Sequence, residues 1–279
     1  MPDVAFVNGR FLPWNDATVS IDDRGFQFGD GVYEVIRTYR GAPFELAAHL
    51  SRLERSATAL SLPQPYSNRQ WTQWIQQGLS QAGYQDAKVY VQITRGVAPR
   101  DHVFPSGTAP TVVMTIREFH PLPVQVRQDG VSAGTCEDLR WGRCDIKSVN
   151  LLANVLAREE AKKAGVFEAI LVKDGLVTEG SVSNVMAVQS GVIVTAPESP
   201  RILSGVTRTV VLRLAKQEGI PVEERFLPVD ALYMADEVFL TGTTVEVLAV
   251  VRVDGKTIGS GQPGPITRTL AARWALLTG

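Results

Sequence analysis

The sequence predicts an α+β protein divided into two domains. Its 279 residues exceed the ~100–200 of one ordinary domain. Strand-type and helix-type apolar spacings occur in both halves of the chain. Between the halves the segment EFHPLPV carries two prolines around His120, which disfavour a continued helix or central strand and suit a short linker. These observations set a small α+β domain at 1–119, a linker at 120–123 and a larger, strand-rich domain at 124–279.

The elements follow in order. VAFVNGRFL alternates about Asn8-Gly9, a pair that accepts the positive φ angles of a two-residue hairpin turn. GVYEVIRTYR reads as a second strand ending at Gly41, with a short return strand around PFEL. A helix follows with Leu50, Leu53, Ala57 and Leu60 on one face and Arg52 beside it. SNRQWTQWIQQGLSQAG spaces Trp71, Trp74, Ile75 and Leu79 as a helix and stops at Gly83. AKVYVQIT and TAPTVVMTI are strands separated by the polar loop RGVAPRDHVFPSG.

In the second domain VSAGTC, FEAILV, VSNVMAV and VIVTA read as strands broken by KDG and QSG turns. Two main helices are expected, at SVNLLANVLAREEAKKAG and VTRTVVLRLAKQEG. Ser148 is a suitable N-cap for the first, with Leu151, Leu152, Val155 and Leu156 as its buried stripe.

Composition narrows the function. Apolar residues make up 44% and charged residues 20%, as in ordinary globular proteins. Lys plus Arg number 28 against 29 Asp plus Glu, so no basic field exists to hold a nucleic acid. The start MPDVAFVNGRFLPW lacks the basic and apolar regions of an export signal, and no apolar run approaches bilayer length. A cytoplasmic protein with no membrane partner is expected. Cys136 and Cys144, with His49, His102 and His120, show neither a disulfide framework nor metal-ligand spacing.

Lys147 sits just before the helical run. A lysine there is ordinarily a solvated charge, but a lysine amine also loses its proton readily when desolvated and then attacks carbonyl groups, as a Schiff-base lysine does with pyridoxal phosphate. That cofactor needs a carboxylate near its ring nitrogen and a cup of donors for its phosphate. Glu179, beside Gly180 and small hydroxyl residues, is a candidate for the first. LSGVTRTVVLRLAKQEG places Ser, Gly and Thr at a helix start, whose free N–H groups and dipole suit an anion.

Four segments in order carry a resemblance: DRGFQFGDGVYEVIRTYRG, ITRGVAPRDHVFP, RWGRCDIKSVNLL and TEGSVSNV. They are similar to the class IV pyridoxal-phosphate aminotransferases, and among these to the D-amino-acid aminotransferases. The resemblance implies fold type IV, with a small α+β N-terminal domain and a larger β-barrel-like C-terminal domain carrying the lysine, assembled as a homodimer. It implies that Lys147 forms the Schiff base and carries the proton, and that Glu179 pairs with the ring nitrogen. Arg52, the Val206 and Thr207 N–H groups and the Thr243 hydroxyl would bind the phosphate. Tyr33, Arg100 and His102 would hold the substrate carboxylate, the 100–102 loop coming from the neighbouring subunit. Phe26 and Val182 stand where tyrosine and serine are expected. The implied reaction moves an amino group from a D-amino acid, D-alanine first, to 2-oxoglutarate by ping-pong kinetics. A branched-chain L-aminotransferase and an (R)-amine transaminase are the alternatives.

Overall fold

Strand alternation in the first 118 residues builds one antiparallel sheet with two helices against it. The computed structural model describes residues 3–279 and divides them into two compact units, one running to His120 and including Ile146–Asn150, the other comprising Pro121–Asp145 and Leu151–Gly279. The first unit contains β1 (Val4–Val7), β2 (Arg10–Leu12), α1 (Arg24–Phe28), β3 (Gly31–Tyr39), β4 (Ala42–Pro43), α2 (Leu46–Ala59), α3 (Asn68–Ala82), β5 (Ala87–Thr94) and β6 (Thr111–Glu118). The sheet order is β2-β1-β6-β5-β3-β4.

Asn8 and Gly9 take φ of 48° and 88°, which close the β1–β2 hairpin. Ser67 and Gln70 form a reciprocal capping box on α3, and Gly83 ends it in the left-handed conformation. Phe6, Ile36, Leu53, Trp71, Ile75, Val91 and Met114 share the buried core under α2 and α3. The expected return strand at PFEL is only β4, because Leu46 already begins α2.

β4 covers only the far end of β3, pairing Thr38 and Tyr39, so the near half of that edge is open to another partner. Residues 146–150 take it. Val32 and Ser148 form a β-bridge, Tyr33 N–H donates to the Lys147 carbonyl at 3.0 Å, and Val149 N–H donates to the Gly31 carbonyl at 3.0 Å. This corrects two sequence expectations. Lys147 groups with the first unit and not with the larger domain, and Ser148 stands opposite Val32 in the bridge while Leu151 takes the N-cap of the helix that follows.

The second unit contains α4 (Val124–Asp129), β7 (Val131–Glu137), α5 (Leu152–Lys163), β8 (Glu168–Lys173), β9 (Leu176–Gly180), β10 (Asn184–Gln189), β11 (Val192–Thr195), α6 (Val206–Gln217), β12 (Val222–Glu224), β13 (Leu227–Pro228), α7 (Val229–Tyr233), β14 (Glu237–Gly242), β15 (Glu246–Val253), β16 (Lys256–Thr257) and α8 (Pro265–Thr278). Nine strands run in the order β12-β11-β10-β14-β15-β7-β8-β9-β13, with β16 hydrogen-bonded to β15. In a flat sheet β9 and β10 would lie five strand spacings apart, ~24 Å. They are joined through residues 181–183, a link that reaches only ~14 Å. The sheet therefore curls until their ends meet, where Gly180 N–H donates to the Ser183 carbonyl at 2.7 Å. This is the barrel-like curvature the sequence resemblance implies.

Here too the helices differ from expectation. α8, whose Leu270 and Trp274 are buried, makes a third long helix beside α5 and α6. Its apolar residues do not form the stripe that periodicity detects. The first turn of α8 is instead fixed by Glu237, which accepts from Ile266 N–H at 2.9 Å and Thr267 N–H at 2.8 Å. α5 starts at Leu152 and buries the small residues Ala157 and Ala161 against Ala169 and Leu171. The stripe expected to be its core is outside, with Leu152, Val155 and Leu156 exposed by 72%, 58% and 54%.

Candidate active site

In the first unit, strand alternation sends neighbouring residues of β3 to opposite faces. Glu34 lies fully buried beneath α2, where two residues three apart on one helical face meet it. Arg52 donates from Nε to Oε1 at 2.7 Å and from a terminal nitrogen to Oε2 at 2.9 Å, and His49 Nδ1 lies 2.8 Å from Oε2. Burial alone would raise the Glu34 pKa, but the Arg52 charge and the hydrogen bonds from Arg52 and His49 hold it far below the usual carboxylate range. Burial depresses the His49 pKa against the pull of Glu34, with Arg52 and Lys147 adding to the depression.

Tyr33, on the other face, packs its ring 5.7 Å from that of Tyr90, and Lys147 Nζ stands 4.3 Å from the Tyr33 ring centroid. The half-buried Lys147 is fixed along its backbone by Tyr33 and by the Ser56 hydroxyl, which accepts from Lys147 N–H at 3.1 Å. The structure thus joins Lys147 and Tyr33 directly and places Arg52 on Glu34. Arg100 and His102 are exposed and engage Phe28, the guanidinium 5.0 Å and the imidazole 5.3 Å from its ring centre. The 100–102 loop is held by Arg24, which donates to the Asp101 carbonyl and, through Nε, to Asp30 at 2.8 Å.

In the second unit Glu179 is buried at the end of β9. Arg140 donates to its Oε1, Asn184 Nδ2 donates to Oε2 at 2.9 Å, and Leu203 N–H donates to Oε2 at 3.0 Å. Asp138 backs Arg140 through Nε at 2.9 Å and a terminal nitrogen at 2.8 Å. Burial pushes the Glu179 pKa up to about 7, opposed by the Arg140 charge and the hydrogen bonds from Arg140 and Leu203. Burial works to lower the Arg140 pKa, but Asp138 and Glu179 raise it, so Arg140 stays a cation and favours an ionised Glu179 beside it.

α6 begins at Val206, both Val206 and Thr207 are buried, and no side chain caps the helix. Its first N–H groups have no intrahelical acceptors. Gly205 at the N-cap leaves no room for a Cβ unless the Asn184 amide shifts, since a Cβ there would stand 2.0 Å from Asn184 Oδ1. Thr243 is half-buried just beyond β14, and the buried Thr241 hydroxyl near it has no hydrogen-bond partner in the protein. Within the second unit a buried carboxylate on an arginine and an uncapped helix start suit the ring nitrogen and the phosphate of pyridoxal phosphate, and within the first unit the Lys147 amine suits its carbonyl.

Sequence reasoning missed Glu34, His49, Asp138, Arg140 and Asn184 as site residues. Arg140 and Asn184 stand inside the quoted motifs RWGRCDIKSVNLL and TEGSVSNV. Their bond to Glu179 spans up to 39 residues of chain and leaves no periodic trace.

Comparison with known proteins gives the same picture. The family model described as amino-transferase class IV matches residues 31–253. D-alanine aminotransferase of Bacillus licheniformis is 45% identical over 263 residues, covering 94% of this chain and 93% of that protein. D-alanine aminotransferase of Staphylococcus haemolyticus is 43% identical over 265 residues, covering 95% and 94%. Among solved structures, the Escherichia coli branched-chain amino acid aminotransferase superposes with a TM-score of 0.93 at 28% identity, covering 99% of this chain and 94% of that one. A T.th. branched-chain amino acid aminotransferase with pyridoxamine 5'-phosphate superposes with a TM-score of 0.92 at 30% identity, covering 99% and 93%. The chain therefore belongs to the class IV aminotransferases, pyridoxal-phosphate-dependent enzymes of fold type IV, and within them to the D-amino-acid aminotransferases.

Proposed function

We propose that this enzyme moves the amino group of a D-amino acid, with D-alanine the expected donor, to a 2-oxo acid such as 2-oxoglutarate by a ping-pong reaction. The observation that carries this reading is the near full-length identity of 45% to a D-alanine aminotransferase, against 28% to 30% for branched-chain aminotransferases that share the fold. Bound pyridoxal phosphate supplies the carbonyl that takes up the amino group and the ring that accepts the electrons left when the substrate Cα–H bond breaks.

Lys147 would hold this group through its amine, and the same amine would move the proton at the substrate α-carbon. Its place against the Tyr33 ring supports this role by limiting the directions the amine can take. Glu179 holds a proton on the ring nitrogen, supported by the arginine that favours its ionised form. Arg52, the Val206 and Thr207 N–H groups and the Thr243 hydroxyl bind the phosphate. Glu34 orients Arg52 with a two-point grip that a single hydrogen bond would not give. Tyr33, Arg100 and His102 orient the substrate carboxylate, which sets the face of the α-carbon that meets Lys147.

The enzyme acts as a homodimer in this reading, each 100–102 loop serving the neighbouring subunit. Exposed Leu152, Val155 and Leu156 on α5 support a partner surface, as do the exposed Val103 and Phe104 next to the loop. The shared fold of branched-chain enzymes, at a TM-score of 0.93, sustains an L-amino-acid alternative. Parallel assays of D-alanine and L-leucine with 2-oxoglutarate decide between them. Turnover of D-alanine with formation of D-glutamate is expected, and turnover of L-leucine alone would reject the proposal.

A further inference from the structure

Residues 201–205 lead into α6, and both carboxylate oxygens of Glu179 are tied to them by shared donors. Arg140, which donates to Oε1, also donates to the Arg201 carbonyl at 3.1 Å. Asn184 donates from the one Nδ2 atom to Glu179 Oε2 and to the Leu203 carbonyl, each at 2.9 Å. Leu203 N–H returns to the same Oε2 at 3.0 Å, closing a ring of bonds around the amide. Two residues on, Gly205 leaves the space that Asn184 Oδ1 fills. The amide stands on a fixed base, since Asn184 pairs with Thr241 in the middle of the sheet.

We propose that Asn184 is a positioning residue that sets the separation between the Glu179 carboxylate and the first turn of α6, so that one side-chain amide keeps the ring-nitrogen anchor and the phosphate anchor of the cofactor in register. The inference rests on the reading above, in which Glu179 takes the ring nitrogen and Val206 and Thr207 take the phosphate. A rigid ring with a short phosphate arm is gripped well at both ends only if the two anchors are held apart by its own length. A primary amide suits the task because its nitrogen carries two N–H groups, enough to bind two acceptors from one atom. Aspartate in this place would donate nothing and would set a second carboxylate against Glu179, and serine has one donor.

The test uses full-length apoenzyme titrated with pyridoxal phosphate and, separately, with pyridoxal, which has no phosphate, while the visible band of the bound ligand is followed. The Schiff-base band seen with the wild type must be lost in Lys147→Ala. If it is not, the cofactor assignment itself fails, independently of Asn184. Given that control, Asn184→Ala is expected to reduce the advantage of pyridoxal phosphate over pyridoxal by at least tenfold. Equal weakening of both ligands, or no weakening, overturns the proposal, since either confines Asn184 to Glu179 or to general packing. Should Asn184→Ala fail to fold, Gly205→Ala tests the same contact, because its new methyl pushes the amide aside at a backbone φ of −72° that alanine accepts. It is expected to lose the same advantage, and an unchanged ratio overturns the proposal.

Discussion

Lys147, its amine 4.3 Å from a tyrosine ring, and Glu179, buried against an arginine, are the two residues on which the proposed chemistry turns. Lys147→Ala is expected to remove the Schiff-base absorbance band and nearly all turnover, because one amine serves as anchor and proton carrier. Full activity in that variant would remove Lys147 from its role. Glu179→Gln keeps the hydrogen-bonding shape but not the charge, so the cofactor should remain bound while proton transfer slows by about a hundredfold. Stopped-flow absorbance of the half-reaction measures this, and a wild-type rate would locate ring protonation elsewhere.

On the scale of elements, α2 and β3 meet through a buried charge cluster, and this gives the first unit a defined pH response. The Glu34 pKa is depressed in the fold, so its stabilisation is complete above the ordinary value of 4.5 and is lost as pH falls below it. His49 is likewise depressed from 6.5 and binds its proton more readily when unfolded, which also destabilises the fold as pH falls below that value. Thermal melts should therefore show stability declining below about pH 6.5 and more steeply below about 4.5. Glu34→Gln should lower stability at neutral pH by ~3–5 kcal/mol, because Arg52 is left buried without its countercharge. It should also flatten the acid limb, and an acid limb as steep as the wild type's would assign the response to other carboxylates.

For the whole molecule, the proposed homodimer predicts that each 100–102 loop serves the neighbouring subunit. Lys147→Ala and Arg100→Ala enzymes, each nearly inactive on D-alanine, can be unfolded together and refolded as a mixture. With loops acting across the dimer, the mixed dimer holds one complete site: Lys147 from one subunit and Arg100 from the other. Activity should then return to roughly a quarter of wild type when the chains pair at random. No recovery in a mixture shown to contain mixed dimers would mean that each loop serves its own subunit.

Local patterns in the chain were sufficient for the Asn8-Gly9 hairpin, the capped helix α3, the strands β5 and β6, and the start of α6 at Val206, because turn chemistry and apolar period act over a few residues. Lys147, Glu179 and the 100–102 loop became candidates only through four motifs read together. Tertiary structure alone decided that Lys147 lies along the edge of β3, where the short β4 leaves backbone groups to be paired. It alone decided that Arg52 faces Glu34, that Arg140 and Asn184 grip Glu179, and that α5 buries alanines and exposes its leucines. These contacts join residues far apart in the chain. Their energy depends on which groups burial leaves without water, and that is settled only once the sheet has curled and the helices have docked.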